Sequence, residues 1–318
     1  MEKIIRPGKN CLYGALENIF RFGGMDISEE EIFLYCKGMQ FQLHKNKNAQ
    51  SSYLYSTFQR ICDAFCDYPF AESMIYAHCN NFNKMQKEAL AGGWNVILSG
   101  RFPPLETSRN LAEFTADDMH CLILLDVLDP DYLLTGDCYI VNNDASITAN
   151  IRKIETSNIQ DNLNEVLFVR YKKEYPYDKW IHQAIIDNLE IFLCSSGCDT
   201  LYGQTALEAC VDELEKCTLV DNQFLSQRFF YLAYMLKSHF VVIFDYWVDI
   251  LKRYLSDCAD SEACIEEIKK LKVRLNNIYA GLLKAAYAGK SSPHLFQMIH
   301  TELCEQRKLF EKIYKMWM

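Results

Sequence analysis

Cys11 follows Pro7, Gly8 and Asn10, and a helical periodicity opens at the same point, with Cys11, Leu12, Ala15, Leu16, Ile19 and Phe20 as its apolar positions. A thiol in the first turn of a helix is well placed to become a nucleophile. The helix dipole and the leading backbone N–H groups favour the thiolate over the thiol. Once that thiolate has added to a carbonyl, the same N–H groups can hold the resulting oxyanion. Asn10 offers a side-chain amide beside them, so Asn10 and Cys11 together form the candidate oxyanion site.

A thiolate nucleophile works with a base. Of the seven histidines, His120 has the most suitable setting, between the polar segment RFPPLETSRNLAEFTADDM and the apolar run HCLILLDVL. A residue at such a junction faces a cleft while the strand holds its backbone. A third side chain should accept the other ring N–H and set the tautomer. The hairpin DVLDPDYLLTGDCYIVNND turns the chain back and ends on Asn142, Asn143 and Asp144. Asp144 is the first choice for the third role, with Asn143 and Asp137 as substitutes. Each assignment has a plainer counterpart: a core thiol, a strand-end histidine, and ordinary turn chemistry in "NND". Cys121, next to His120, should point to the opposite face of the strand.

The elements that must position these residues have two grammars. Residues 1–173 mix helical and strand patterns. Helices are expected at 11–21, from Ser28 onward, at 51–67 and at 81–91. Strands are expected at 94–100, 120–128, 138–144 and 166–171. Residues 174–318 show apolar positions at three- and four-residue spacing over 180–194, 204–217, 222–256, 260–288 and 293–317, which reads as a helical bundle. The fold class is therefore α+β, with a mixed first domain and an all-α second one.

Composition narrows the function. Half of the 318 residues are apolar and the net charge is −9. Without a Lys/Arg cluster to meet phosphates, nucleic acid is not an expected partner. No run of about 18 apolar residues is present, so no membrane span is expected either. MEKIIRPGKN lacks the apolar core of a signal peptide, and a cytoplasmic location follows as the expectation. The 14 cysteines then read as reduced thiols, most of them small hydrophobes. Cys194 and Cys198 are spaced C-x3-C without a second pair, which is poor zinc spacing. No metal, nucleotide or redox cofactor is called for.

The segments NCLYGALENIFRFGGMDISEEEIFLYCKGMQF (10–41), GGWNVILSGRFPPL, MHCLILLDVLD and YIVNND occur in an order that resembles the papain-like fold of bacteriocin-leader-processing peptidases. More specifically, the chain resembles the family of butirosin biosynthesis protein H, over residues 5–170 by pattern and beyond by helical character. That resemblance implies acyl transfer from a carrier-protein thioester, on its phosphopantetheine arm, to a small-molecule amine in antibiotic-like biosynthesis. It makes Cys11 the acyl acceptor, His120 its base and Asp144 the orienting residue. The chain departs from the family in having Asn10 where a histidine often precedes the nucleophile. An acidic carrier protein would need a local basic patch, for which Lys45, Lys47, Arg101 and Arg109 are candidates. A cysteine peptidase or amidase on the same scaffold, and an inactive papain-like binding protein, stand as alternatives. The apolar helix faces of the second half also offer a surface for a homo-oligomer.

Overall fold

The computed structural model of the protein describes residues 3–40, 42–45, 52–55, 65–77, 82–102, 120–142, 146–172, 177–193, 201–218 and 225–318. Helices α1 (Cys11–Phe22) and α2 (Glu29–Tyr35) come first, then strands β1 (Gln42–Lys45), β2 (Ser52–Tyr55) and β3 (Ala71–Ala77), helix α3 (Phe82–Ala91) and strand β4 (Asn95–Gly100). Strands β5 (His120–Asp129), β6 (Tyr132–Val141) and β7 (Ile147–Glu155) follow, with the short helix α4 (Thr156–Gln160) leading into β8 (Leu163–Tyr171). The rest is α5 (Ile181–Leu193), β9 (Leu201–Tyr202), α6 (Gly203–Cys217), α7 (Leu225–Met235), α8 (Val241–Tyr254), α9 (Ser261–Ala288) and α10 (Pro293–Trp317). A π-helical stretch, Leu236–Phe240, joins α7 to α8. The chain is thus α+β, with a helical C-terminal half.

Two compact units divide it: Met1–Cys36 with Thr57–Trp180, and Lys37–Ser56 with Ile181–Met318. This differs from the division at 173/174 read from the sequence. Residues 37–56 belong with the helices because β1 pairs with β9, Leu43 opposite Leu201, and because α6 packs on β1 and β2. The helix expected over 51–67 is corrected at its start, whereas residues 65–67 are helical. Residues 52–55, Ser-Tyr-Leu-Tyr, form a strand paired with β1, a composition that suits a pleated surface.

The first unit is built on a six-stranded antiparallel sheet in the order β3-β8-β4-β5-β6-β7. On one face Val96, Leu98, Leu122, Leu124, Leu133, Val166 and Phe168 cluster with Phe82 of α3. On the other, α1 lies across β5 and β6. Burial on both faces explains why β4 and the start of β5 read as unbroken apolar runs. Strand β7 is different: it stands at the edge, and none of its residues is buried. Its Asn150, Arg152 and Lys153 are edge-strand chemistry, which hydropathy alone does not mark as a strand.

The second unit is held by an aromatic knot, in which Phe310 meets Phe192 at 4.9 Å and Trp247 at 5.3 Å between ring centroids. Trp247 is fully buried, and its Nε1–H donates to Met39 Sδ at 3.3 Å. Within the aromatic stretch 224–247 the described residues Phe229, Phe244, Tyr246 and Trp247 are all buried and supply bundle core. Among the described residues, no helix is long and apolar enough to cross a membrane.

Candidate active site

The helix carrying Cys11 begins where Asn10 stops it from extending backward. Asn10 is extended, and its Oδ1 accepts from the Leu12 and Tyr13 N–H groups at 2.8 and 3.2 Å. The Asn10 carbonyl takes the Gly14 N–H at 2.9 Å. Asn10 is thus an N-cap, and its side-chain oxygen faces the helix. Asn10 thereby takes the amides of Leu12, Tyr13 and Gly14 and leaves the Cys11 N–H as the first-turn amide it does not use.

The segment leading to Cys11 is fixed residue by residue. Asn18, buried in α1, accepts from the Arg6 N–H at 2.8 Å and donates to the Arg6 carbonyl at 3.0 Å. The Gly8 N–H donates to the Cys138 carbonyl of β6 at 2.8 Å. Glu29, buried in the first turn of α2, accepts from the Lys9 and Asn10 N–H groups at 2.8 and 2.7 Å. Gly8 and Gly14 make the crossing possible, since a Cβ on Gly8 would stand 2.8 Å from the Gly14 Cα. Glu29, Asn18 and Gly14 were not singled out from the sequence, and Gly8 only as a residue preceding Cys11. Their one signal was a buried-type position filled by a polar or side-chain-free residue.

His120 is the first residue of β5, and Asp137 lies on the neighbouring β6. His120 Nε2 is 3.0 Å from Asp137 Oδ2, with the histidine side chain 29 % exposed and the aspartate 5 %. Asp137 is held in turn by the Tyr139 N–H, which donates to its Oδ1 at 3.0 Å. With Nε2 taken, Nδ1 is the ring nitrogen left for Cys11, whose side chain His120 also hydrogen-bonds. Asp137, a substitute in the sequence reading, is therefore the carboxylate at His120. Asp144 and Asn143 lie outside the described residues. A hairpin pairs residues by register and not by distance from the strand's end, and the neighbour of His120 comes from within β6.

Cys121 is more than a neighbour of the site. Alternation along β5 sends Leu122 and Leu124 into the cluster under α3 and so turns Cys121 to the face that α1 covers. There its thiol and its backbone N–H both interact with the Cys11 sulfur. His120 and Cys121, the first and second residues of β5, thus both act on Cys11. A third thiol, Cys138, donates to the Cys11 carbonyl at 3.4 Å.

The electrostatics follow from these contacts. The hydrogen bond from Cys121 holds the Cys11 thiol well below its ordinary value, against the opposing effect of burial, and the hydrogen bond and charge of His120 add to the lowering. For His120, burial would lower the pKa, but the bonds to Asp137 and Cys11 prevail and raise it to about 10. Both shifts favour the thiolate of Cys11 and the imidazolium of His120.

Arg101 is exposed just beyond β4. Arg109, Lys47, Cys62, Cys194 and Cys198 lie outside the described residues, as do the side chains of Lys45 and His239. Cys66 is exposed and Cys264 buried in α9. No protein-family model matches the chain, and no curated protein matches it.

Proposed function

We propose that the chain is a cysteine-dependent acyltransferase with a papain-like first unit, moving an (amino)acyl group from a carrier-protein thioester to an amine acceptor in antibiotic-like biosynthesis. The observation that carries this reading is the contact chain Cys11–His120–Asp137 at the head of α1. The Cys11 thiolate adds to the thioester carbonyl, and the oxyanion takes the Cys11 N–H. As the tetrahedral adduct collapses, His120 gives its proton to the departing thiolate of the donor, leaving an acyl-Cys11 thioester. The neutral imidazole then accepts a proton from the attacking amine. Collapse of the second adduct forms the amide and restores thiolate and imidazolium. Asp137 keeps the ring oriented throughout.

The test is incubation with aminoacyl N-acetylcysteamine thioesters, followed by intact-mass and peptide mapping. An acyl adduct on Cys11, discharged to an amide when an amine is added, supports transfer. Discharge to free acid regardless of the amine supports the hydrolase alternative. If no adduct forms, the acyltransfer reading is wrong.

A further inference from the structure

Cys11, Cys121 and Cys138 form a thiol cluster that acyl transfer does not need. Cys121 lies on the face of β5 that α1 covers, two residues before Ile123, and Ile123 pairs with Gly136 of β6, two residues before Cys138; there the Cys121 sulfur interacts with that of Cys11. Cys138 is aimed elsewhere, at the Cys11 carbonyl. Cys11 is partly exposed, whereas Cys121 and Cys138 are 3 % and 1 % exposed. An oxidant from solvent therefore meets Cys11 first, and the sulfur in contact behind it is that of Cys121.

We propose that peroxide oxidation closes a reversible Cys11–Cys121 disulfide, which shuts off the nucleophile and shields it from irreversible oxidation. The Cys11 thiolate attacks one oxygen of hydrogen peroxide; the S–O bond forms, the O–O bond breaks, and water leaves after proton uptake. The Cys121 sulfur then attacks the Cys11 sulfenic acid, the S–S bond forms, and hydroxide leaves as water with the Cys121 proton. Two thiols and one peroxide give a disulfide and two waters, with sulfur oxidised and peroxide oxygen reduced.

The Cys11 contact also times the second step. Cys121 is held protonated first by its hydrogen bond to the Cys11 sulfur, then by burial and by the charge on Cys11. Conversion of Cys11 to a neutral sulfenic acid removes that charge, so oxidation of the first sulfur readies the second. The sheet keeps Cys121 near, because it sits on β5 opposite Ser99 of β4. The proposal rests on Cys11 being a reactive thiolate and not on what it acylates.

The experiment treats the full, reduced chain with hydrogen peroxide, traps free thiols with N-ethylmaleimide, and maps the peptides by mass spectrometry. The expected result is a Cys11–Cys121 linked peptide and an iodoacetamide labelling rate at Cys11 reduced at least about tenfold, recovered with dithiothreitol. In Cys121→Ser, Cys11 should instead advance to the sulfinic acid and stay blocked after dithiothreitol. Should that variant fold poorly, Cys121→Ala serves, and the wild-type map alone already decides. A Cys11–Cys138 link, or sulfinic acid forming as readily in the wild type, overturns the proposal. Rapid labelling of Cys11 without a disulfide removes the lock alone, whereas a disulfide in a chain that forms no acyl adduct removes only the acyltransfer reading.

Discussion

Cys11, in the sheet unit, sits at a helix N-terminus beside a histidine and a second thiol. Cys210, in the helical unit, sits in the middle of α6, buried, with Glu213 and Arg228 as its charged neighbours. Burial pushes the Cys210 thiol up to about 12, and Glu213 adds to the effect. Cys11 meets an opposing burial effect too, yet its pKa is lowered, because donors from Cys121 and His120 converge on the sulfur. Cys264 in α9 goes the way of Cys210, again raised chiefly by burial. The comparison teaches that removing a thiol from water makes it inert, and that only directed donors turn the same environment into a nucleophile.

The largest effect should be the reactivity gap itself. At pH 7 a thiol with a pKa of about 12 is ionised to roughly one part in 10⁵. Timed iodoacetamide labelling should therefore find Cys11 at least about 10³-fold faster than Cys210 in the native protein. Comparable rates would break the contrast.

His120→Ala should narrow the gap from the Cys11 side. In the wild type, labelling should rise as pH climbs through the lowered Cys11 value. It should then stay level until His120 loses its proton near about 10. Removal of the imidazolium should move the rise toward the ordinary thiol range and reduce acyl-adduct formation by about 10²- to 10⁴-fold. An unmoved pH profile would show that Cys121, not His120, carries the lowering.

Asp137→Asn asks a smaller question. The carboxylate raises the His120 pKa, so its loss should bring the upper limit of the plateau below about 10, with acyl-adduct formation down by roughly 10-fold or more. If Asp144 is the orienting residue instead, Asp137→Asn will leave both limits in place.

Gly8→Ala tests the support under the nucleophile. The added Cβ would stand 2.8 Å from the Gly14 Cα, a backbone contact with no flexible side chain to yield. Unfolding should show a loss of about 1–3 kcal/mol. An unchanged melting temperature would show that the crossing at Gly14 is looser than its geometry.

The helices were legible because their apolar spacing survives without tertiary context. Segments 260–288 and 293–317 correspond to α9 and α10, Ser261–Ala288 and Pro293–Trp317. Central strands were legible because burial on both faces forces continuous apolar runs. Edge strand β7 and the short β1 and β2 were missed, since pairing and not composition makes them strands.

Local sequence by itself determined the setting of Cys11: an apolar helical periodicity opens right after Asn10, and Cys11 must then occupy the first turn. The chain also named His120 from its place at a loop-to-strand junction. Only the tertiary structure decided which carboxylate meets the imidazole and that Cys121 faces Cys11, because both follow from strand register and from where α1 ends against β5. It also decided that Glu29 holds the turn before the thiol, 18 residues downstream of it. Side-chain periodicity is written in the sequence, whereas register and the meeting of chain ends are set by packing between elements distant along it.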